Sequence, residues 1–115
     1  MIDNKLKEIY MNWENKFDKD EWYFQTEFDK ILNNMTSQQA FDYIPNVVAT
    51  IIELEVSSLL WETIYFLIAL YEHADTTEIH PFLKEKWLEL DKHIADYKDS
   101  YETPFQELKR GLRIK

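Results

Sequence analysis

Apolar residues recur along this chain every three or four positions, and the densest stretch lies in the middle. Ile64 to Tyr71 is an unbroken apolar run bracketed by Glu62 and Glu72. The segment around it, Glu55 to Asp75 (EVSSLLWETIYFLIALYEHAD), contains neither Gly nor Pro. It predicts a helix of about 18 residues, too short for a bilayer span, which needs about 20 consecutive apolar residues. At about 100° per residue, Leu59, Leu60, Ile64, Leu67, Ile68, Leu70 and Tyr71 cover most of its circumference. A helix that apolar needs neighbours on most sides. Glu55, Ser58, Glu62, Tyr65, Ala69 and Glu72 share the remaining stripe, which is expected to face water or a partner.

The same periodicity places helices on either side. Ile2, Leu6, Ile9, Tyr10, Trp13 and Phe17 predict one amphipathic helix over 3–18. Asp20 is a candidate N-cap for a second, over 21–34, with Phe24, Phe28, Ile31, Leu32 and Met35 inward. Thr36-Ser37-Gln38-Gln39 reads as a capping box. Pro45 has no N–H for the carbonyl of residue 41 and disfavours a helical Ile44, so a break is expected there. Val47, Val48, Ile51, Ile52 and Leu54 then form an apolar helix folding back on the central one. Residues 46–73 could be two helices or one bent helix, because the corner near Glu55 to Ser57 lacks Gly and Pro. Asp75 and Glu78 repeat the capping-box spacing. Pro81 suits a first helical turn, ahead of an inner stripe of Phe82, Leu83, Trp87, Leu90, Ile94 and Tyr97. Thr103-Pro104 opens a final helix with Phe105, Leu108 and Leu112.

These elements predict an all-α protein: one domain over 1–115, a bundle of six or seven antiparallel helices stacked as hairpins around the central apolar one. No fixed-period repeat is present. Composition agrees. The 115 residues are 45% hydrophobic and 16% aromatic, enough to build a core, and a single Gly leaves little for hairpin turns. With no Cys, disulfide scaffolds, thiolate metal sites and thiol nucleophiles are excluded. MIDNKLKEIY has no apolar signal core, so a cytoplasmic location is expected.

Charge sharpens the picture. The net charge is −9, and no Lys or Arg occurs between Lys30 and Lys84. That interval holds Asp42, Glu53, Glu55, Glu62, Glu72, Asp75 and Glu78. A single-sign field of this kind steers basic partners and repels phosphate backbones, so direct nucleic-acid binding is disfavoured. The candidate partner-binding residues are Glu53, Glu55, Glu62, Tyr65, Glu72, Asp75 and Glu78. Trp22, on the wheel opposite Phe24, either covers an edge of the first helix or stands exposed among Asp18, Asp20 and Glu21 as an interface anchor. Catalysis is not expected. His73 has carboxylates nearby but no nucleophile, and no phosphate loop is present. Nor is a metal or other cofactor expected: Glu89 and His93 are four apart, which helix-surface pairing explains, and no Glu-x-x-His occurs.

The stretch LLWETIYFLIALYEHADTTEIHP, Leu59 to Pro81, resembles a segment of small bacterial immunity proteins from polymorphic-toxin or contact-dependent inhibition systems. It covers about a fifth of the chain, one supersecondary element. The resemblance implies a small acidic cytoplasmic protein that neutralises one cognate toxin. It transfers no functional residues, because immunity surfaces differ between toxins. The expected function is therefore binding of a basic toxin domain through an acidic helical face, with a helical adaptor or self-associating module as the alternative.

Overall fold

A computed structural model describes residues 2–114, all of whose regular structure is helical. The helices are α1 (Asn4–Tyr10), α2 (Trp13–Lys19), α3 (Tyr23–Asn33), α4 (Ser37–Glu53), α5 (Ser57–Ala74), α6 (Pro81–Ala95), α7 (Lys98–Glu102) and α8 (Pro104–Leu112). α7 is little more than one turn. Among the described residues, no helix is long and apolar enough to cross a membrane.

α5 is the hub. Its 18 residues match the expected length, and Leu60, Ile64, Leu67 and Leu70 are completely buried. α4 folds back along it, and α3, α7 and α8 cover other sides; α6 packs against α4. The corner between α4 and α5 is Leu54-Glu55-Val56, so 46–73 is two helices. An aromatic chain enters the core from α3: Phe24 and Phe28 have centroids 6.1 Å apart, and Phe28 stacks on Phe66 of α5 at 4.5 Å.

Three expectations change. The helix predicted over 3–18 is broken, because Asn12 adopts a left-handed backbone (φ 56°). Asn tolerates that conformation better than most residues, and the break turns Trp13 and Phe17 onto Phe24 of α3. The break predicted at Pro45 is absent: α4 runs through it. Pro inside a helix costs about 3 kcal/mol. Ile44, Val47, Val48 and Ile51 on the same helix are fully buried, at about 1.5–3 kcal/mol each, so burial outweighs the lost bond. Asp75 does not open a helix. It closes α5 in a left-handed conformation (φ 56°), and His80 caps α6 instead, its Nδ1 accepting from the Phe82 N–H at 3.0 Å.

Some of the remaining local signals hold, and two of the predicted caps do not. Thr36 and Gln39 form a reciprocal capping box, and Pro81 and Pro104 occupy first helical turns. Asp20 does not cap α3: its side chain accepts from the Trp22 N–H at 3.0 Å, and Trp22 takes the cap position without a side-chain bond, so α3 starts two residues later than predicted. Thr103 precedes α8 without a side-chain cap.

α1 is held by polar side chains as well as by Leu6 and Ile9. Asp3 caps it, accepting from Lys5 N (3.0 Å) and Leu6 N (3.3 Å), and the same carboxylate accepts from Asn46 Nδ2 (3.0 Å) and the Tyr43 hydroxyl on α4. The Asp3 N–H donates to Thr50 Oγ1 at 2.9 Å. Burial opposes the Asp3 charge, but the donors from Tyr43, Asn46, Leu6 and Lys5 outweigh it and hold the carboxyl below its ordinary value. At the other end of α1, the Tyr10 hydroxyl bonds to Thr63 Oγ1 of α5, which itself donates to the Leu59 carbonyl at 2.7 Å. Burial pushes both phenols far up, so Tyr10 and Tyr43 stay protonated.

Candidate functional site

The acidic residues singled out by sequence are strung out along the α4–α5 hairpin and the connection that follows it. Glu53 ends α4, Glu55 sits in the corner, Glu62, Tyr65 and Glu72 are on α5, Asp75 closes it, and Glu78 is in the connection to α6. At 1.5 Å per residue this row extends about 30 Å. Glu53, Glu55, Glu72, Asp75 and Glu78 are exposed, while Glu62 and Tyr65 are half-buried. Among the described residues, no Lys or Arg forms an ion pair with Glu62, Glu72, Asp75 or Glu78.

The row is not the continuous open strip expected from the helical wheel. α8 packs onto the middle of it, because Phe105, Leu108 and Leu112 bury their side chains. Glu107 of α8 comes beside the Tyr65 hydroxyl. Burial, with the Glu107 carboxylate as acceptor and the negative charges of Glu107 and Glu62, raises that phenol to about 12. Two grooves remain, one on each side of the contact.

The first groove lies between the C-terminal half of α5 and α8 and has a volume of about 680 Å³. Ile68, Leu108 and Leu112 give it an apolar floor, and Glu72, Asp75 and Glu107 stand on its rim. Lys109, the cation of α8 nearest in sequence to Glu107, lies instead over the rings of Phe105 (5.6 Å) and Tyr101 (6.0 Å). The rim carboxylates thus face solvent without a cation from that side chain.

The second groove lies between α2, α3, the start of α5 and α7, and has a volume of about 380 Å³. Trp13, Phe17, Phe24 and Trp61 line it together with Glu62 and Asp99. Burial pushes the Glu62 carboxyl above its ordinary value.

No family model, curated protein or solved structure matches the chain.

Trp22 lines neither groove. The residue is 61% exposed, the second of its two expected placements, and its N–H donates to Asp20 Oδ1 at 3.0 Å. The histidines are committed to structure. His73 Nε2 donates to the Met35 carbonyl at 2.7 Å and His93 Nε2 to the Leu54 carbonyl at 2.7 Å; His93 therefore pairs with the end of α4 rather than with Glu89. Among the described residues, no three His, Asp or Glu side chains are grouped to hold a metal ion.

Sequence reasoning located the acids but not the grooves. It missed Glu107, whose helix lies far along the chain, and the ring wall of Trp13 and Phe17, which the break at Asn12 creates. An aromatic pair four residues apart, flanked by charge, was the available signal for that wall.

Proposed function

We propose that this protein is a stoichiometric, non-catalytic inhibitor of the immunity type, which binds a basic toxin domain in the cytoplasm and blocks its working surface. The observation that carries the reading is the α5–α8 groove. Glu72 and Asp75 on its rim have no paired cation among the described residues, and the chain from residue 31 to residue 83 supplies none. Carboxylates around an apolar floor suit a basic, partly apolar surface segment. Close interfacial charge pairs contribute about 1.5–7 kcal/mol and raise association rates. Acidic side chains can also occupy the subsites in which a nuclease-like toxin holds phosphate.

Co-expression with the product of the adjacent gene tests the reading. The expected result is a one-to-one complex and rescue of growth. Double charge reversal of the exposed Glu72 and Asp75 should slow association about tenfold at low salt and flatten its salt dependence, with folding intact. Failure to bind, and to rescue from, any neighbouring toxin overturns it. The rival reading, a self-associating helical module, draws on the exposed Leu88 (83%) and Met11 (62%). A dimer in light scattering that Leu88→Lys dissolves would favour it.

A further inference from the structure

The groove between α2, α3, α5 and α7 differs in kind from the α5–α8 groove: four aromatic rings line it, beside the hydroxyls of Ser57, Ser58 and Thr103 and two carboxylates. Trp13, Phe17 and Phe24 contact one another with centroids 5.8–6.5 Å apart and planes inclined at 40–59°. Trp61, tilted against Tyr65 at 5.7 Å, lines the groove from α5. These rings are not simply core. Phe17 is 39% exposed and both Trp side chains are half-buried, so part of this aromatic surface faces the opening.

Set among the rings, the half-buried Glu62 carboxylate has neither a hydrogen-bond nor an ion-pair partner among the described residues. Asp99 of α7 adds a second carboxylate. A half-desolvated carboxylate without a partner is unfavourable unless something supplies a counter-charge. Chemistry narrows the occupant. Carboxylates repel phosphate. An apolar plug would bury Glu62 unpaired. A strongly hydrated metal ion gains little from ring walls. A guanidinium fits: it is weakly hydrated, stacks on aromatic faces, and presents N–H donors in a fork matched to a carboxylate.

We propose that this groove receives an arginine side chain of the partner, its guanidinium stacked on the ring wall and bonded to Glu62. This rests on the inhibitor reading above, and it names the residue type that the partner inserts.

The test uses the whole chain and N-acetyl-arginine amide as probe, followed by the indole N–H resonances of the four Trp residues. Trp13 and Trp61 should shift together and saturate at millimolar probe, while Trp22 and Trp87, which do not line the groove, shift far less. The neutral citrulline analogue, equal in shape, should bind at least tenfold more weakly. Glu62→Gln should weaken arginine binding at least tenfold with its thermal unfolding midpoint unchanged or raised; Trp61→Leu checks the ring wall independently. Equal response to citrulline, unchanged binding in Glu62→Gln, or shifts spread evenly over all four indoles overturns the proposal. The two readings fail separately. Arginine binding here by a protein that captures no toxin keeps the groove and removes the inhibitor role. A tight toxin complex indifferent to Glu62→Gln and Trp61→Leu removes the groove alone.

Discussion

Replacing Asp3 by Ala removes one carboxylate that ties α1 both to its own first turn and to α4. The loss can be summed from its bonds. An N-cap contributes about 1 kcal/mol. The bonds from the Tyr43 hydroxyl and Asn46 Nδ2 contribute about 1 kcal/mol each, and Tyr43 is buried, so its hydroxyl gains little access to water. The expected cost is about 3 kcal/mol at neutral pH, a large share of the 5–15 kcal/mol that holds a domain together. In urea, with a slope of about 1.5 kcal/mol/M, the midpoint should fall by about 2 M. The pH dependence has a definite sign. Because the folded carboxyl sits below its ordinary value, its stabilisation is complete above the unfolded pKa of about 4 and disappears as pH falls through the folded value. The difference between wild type and Asp3→Ala should therefore narrow on acidification. Asp3→Asn, which still caps, should cost less than half as much. A loss under about 0.5 kcal/mol for Asp3→Ala, or a gap that widens in acid, would refute the assignment of Asp3 as the fastening point of α1.

Three further outcomes are expected. Pro45→Ala should stabilise the protein by about 2 kcal/mol in the same urea assay, since it restores a bond to the Phe41 carbonyl and gives back only part of that through a freer unfolded chain; destabilisation would mean that Pro45 fixes a bend the packing requires. Glu62→Gln should raise the thermal midpoint at pH 7: the wild-type carboxyl titrates higher folded than unfolded, so its penalty is full above the folded value and gone below about pH 4, where the two proteins should converge. Trp22→Ala should change folding stability by no more than about 0.5 kcal/mol because its ring is exposed; a larger loss by chemical denaturation would place that ring in the packing.

Much of the architecture was legible because local and tertiary signals agree. The central helix has the predicted 18 residues, and the Thr36–Gln39 box and the Pro81 start are where short-range chemistry puts them. Expectations failed where two local rules competed or packing overrode one. Asp75 carries capping-box spacing but also tolerates a left-handed backbone, and the end of α5 uses the second property. Pro45 breaks helices in isolation, yet α4 buries too much on both sides of it to stop. The candidate site was half legible. A gap in cations is visible in any sequence. A groove assembled from positions 13, 17, 61 and 99 depends on how helices pack, and periodicity within one helix does not carry that information.

The fastening of α1 also sets an order of events during synthesis. Asp3 bonds to Thr50, 47 residues later, and Tyr10 to Thr63, 53 residues later. At about 5–20 residues per second, the ribosome needs roughly 2–11 s to add the intervening chain. Until then Leu6 and Ile9 have no α4 or α5 to rest against, so a nascent chain interrupted before α5 emerges carries α1 with its greasy face uncovered, a natural target for chaperones.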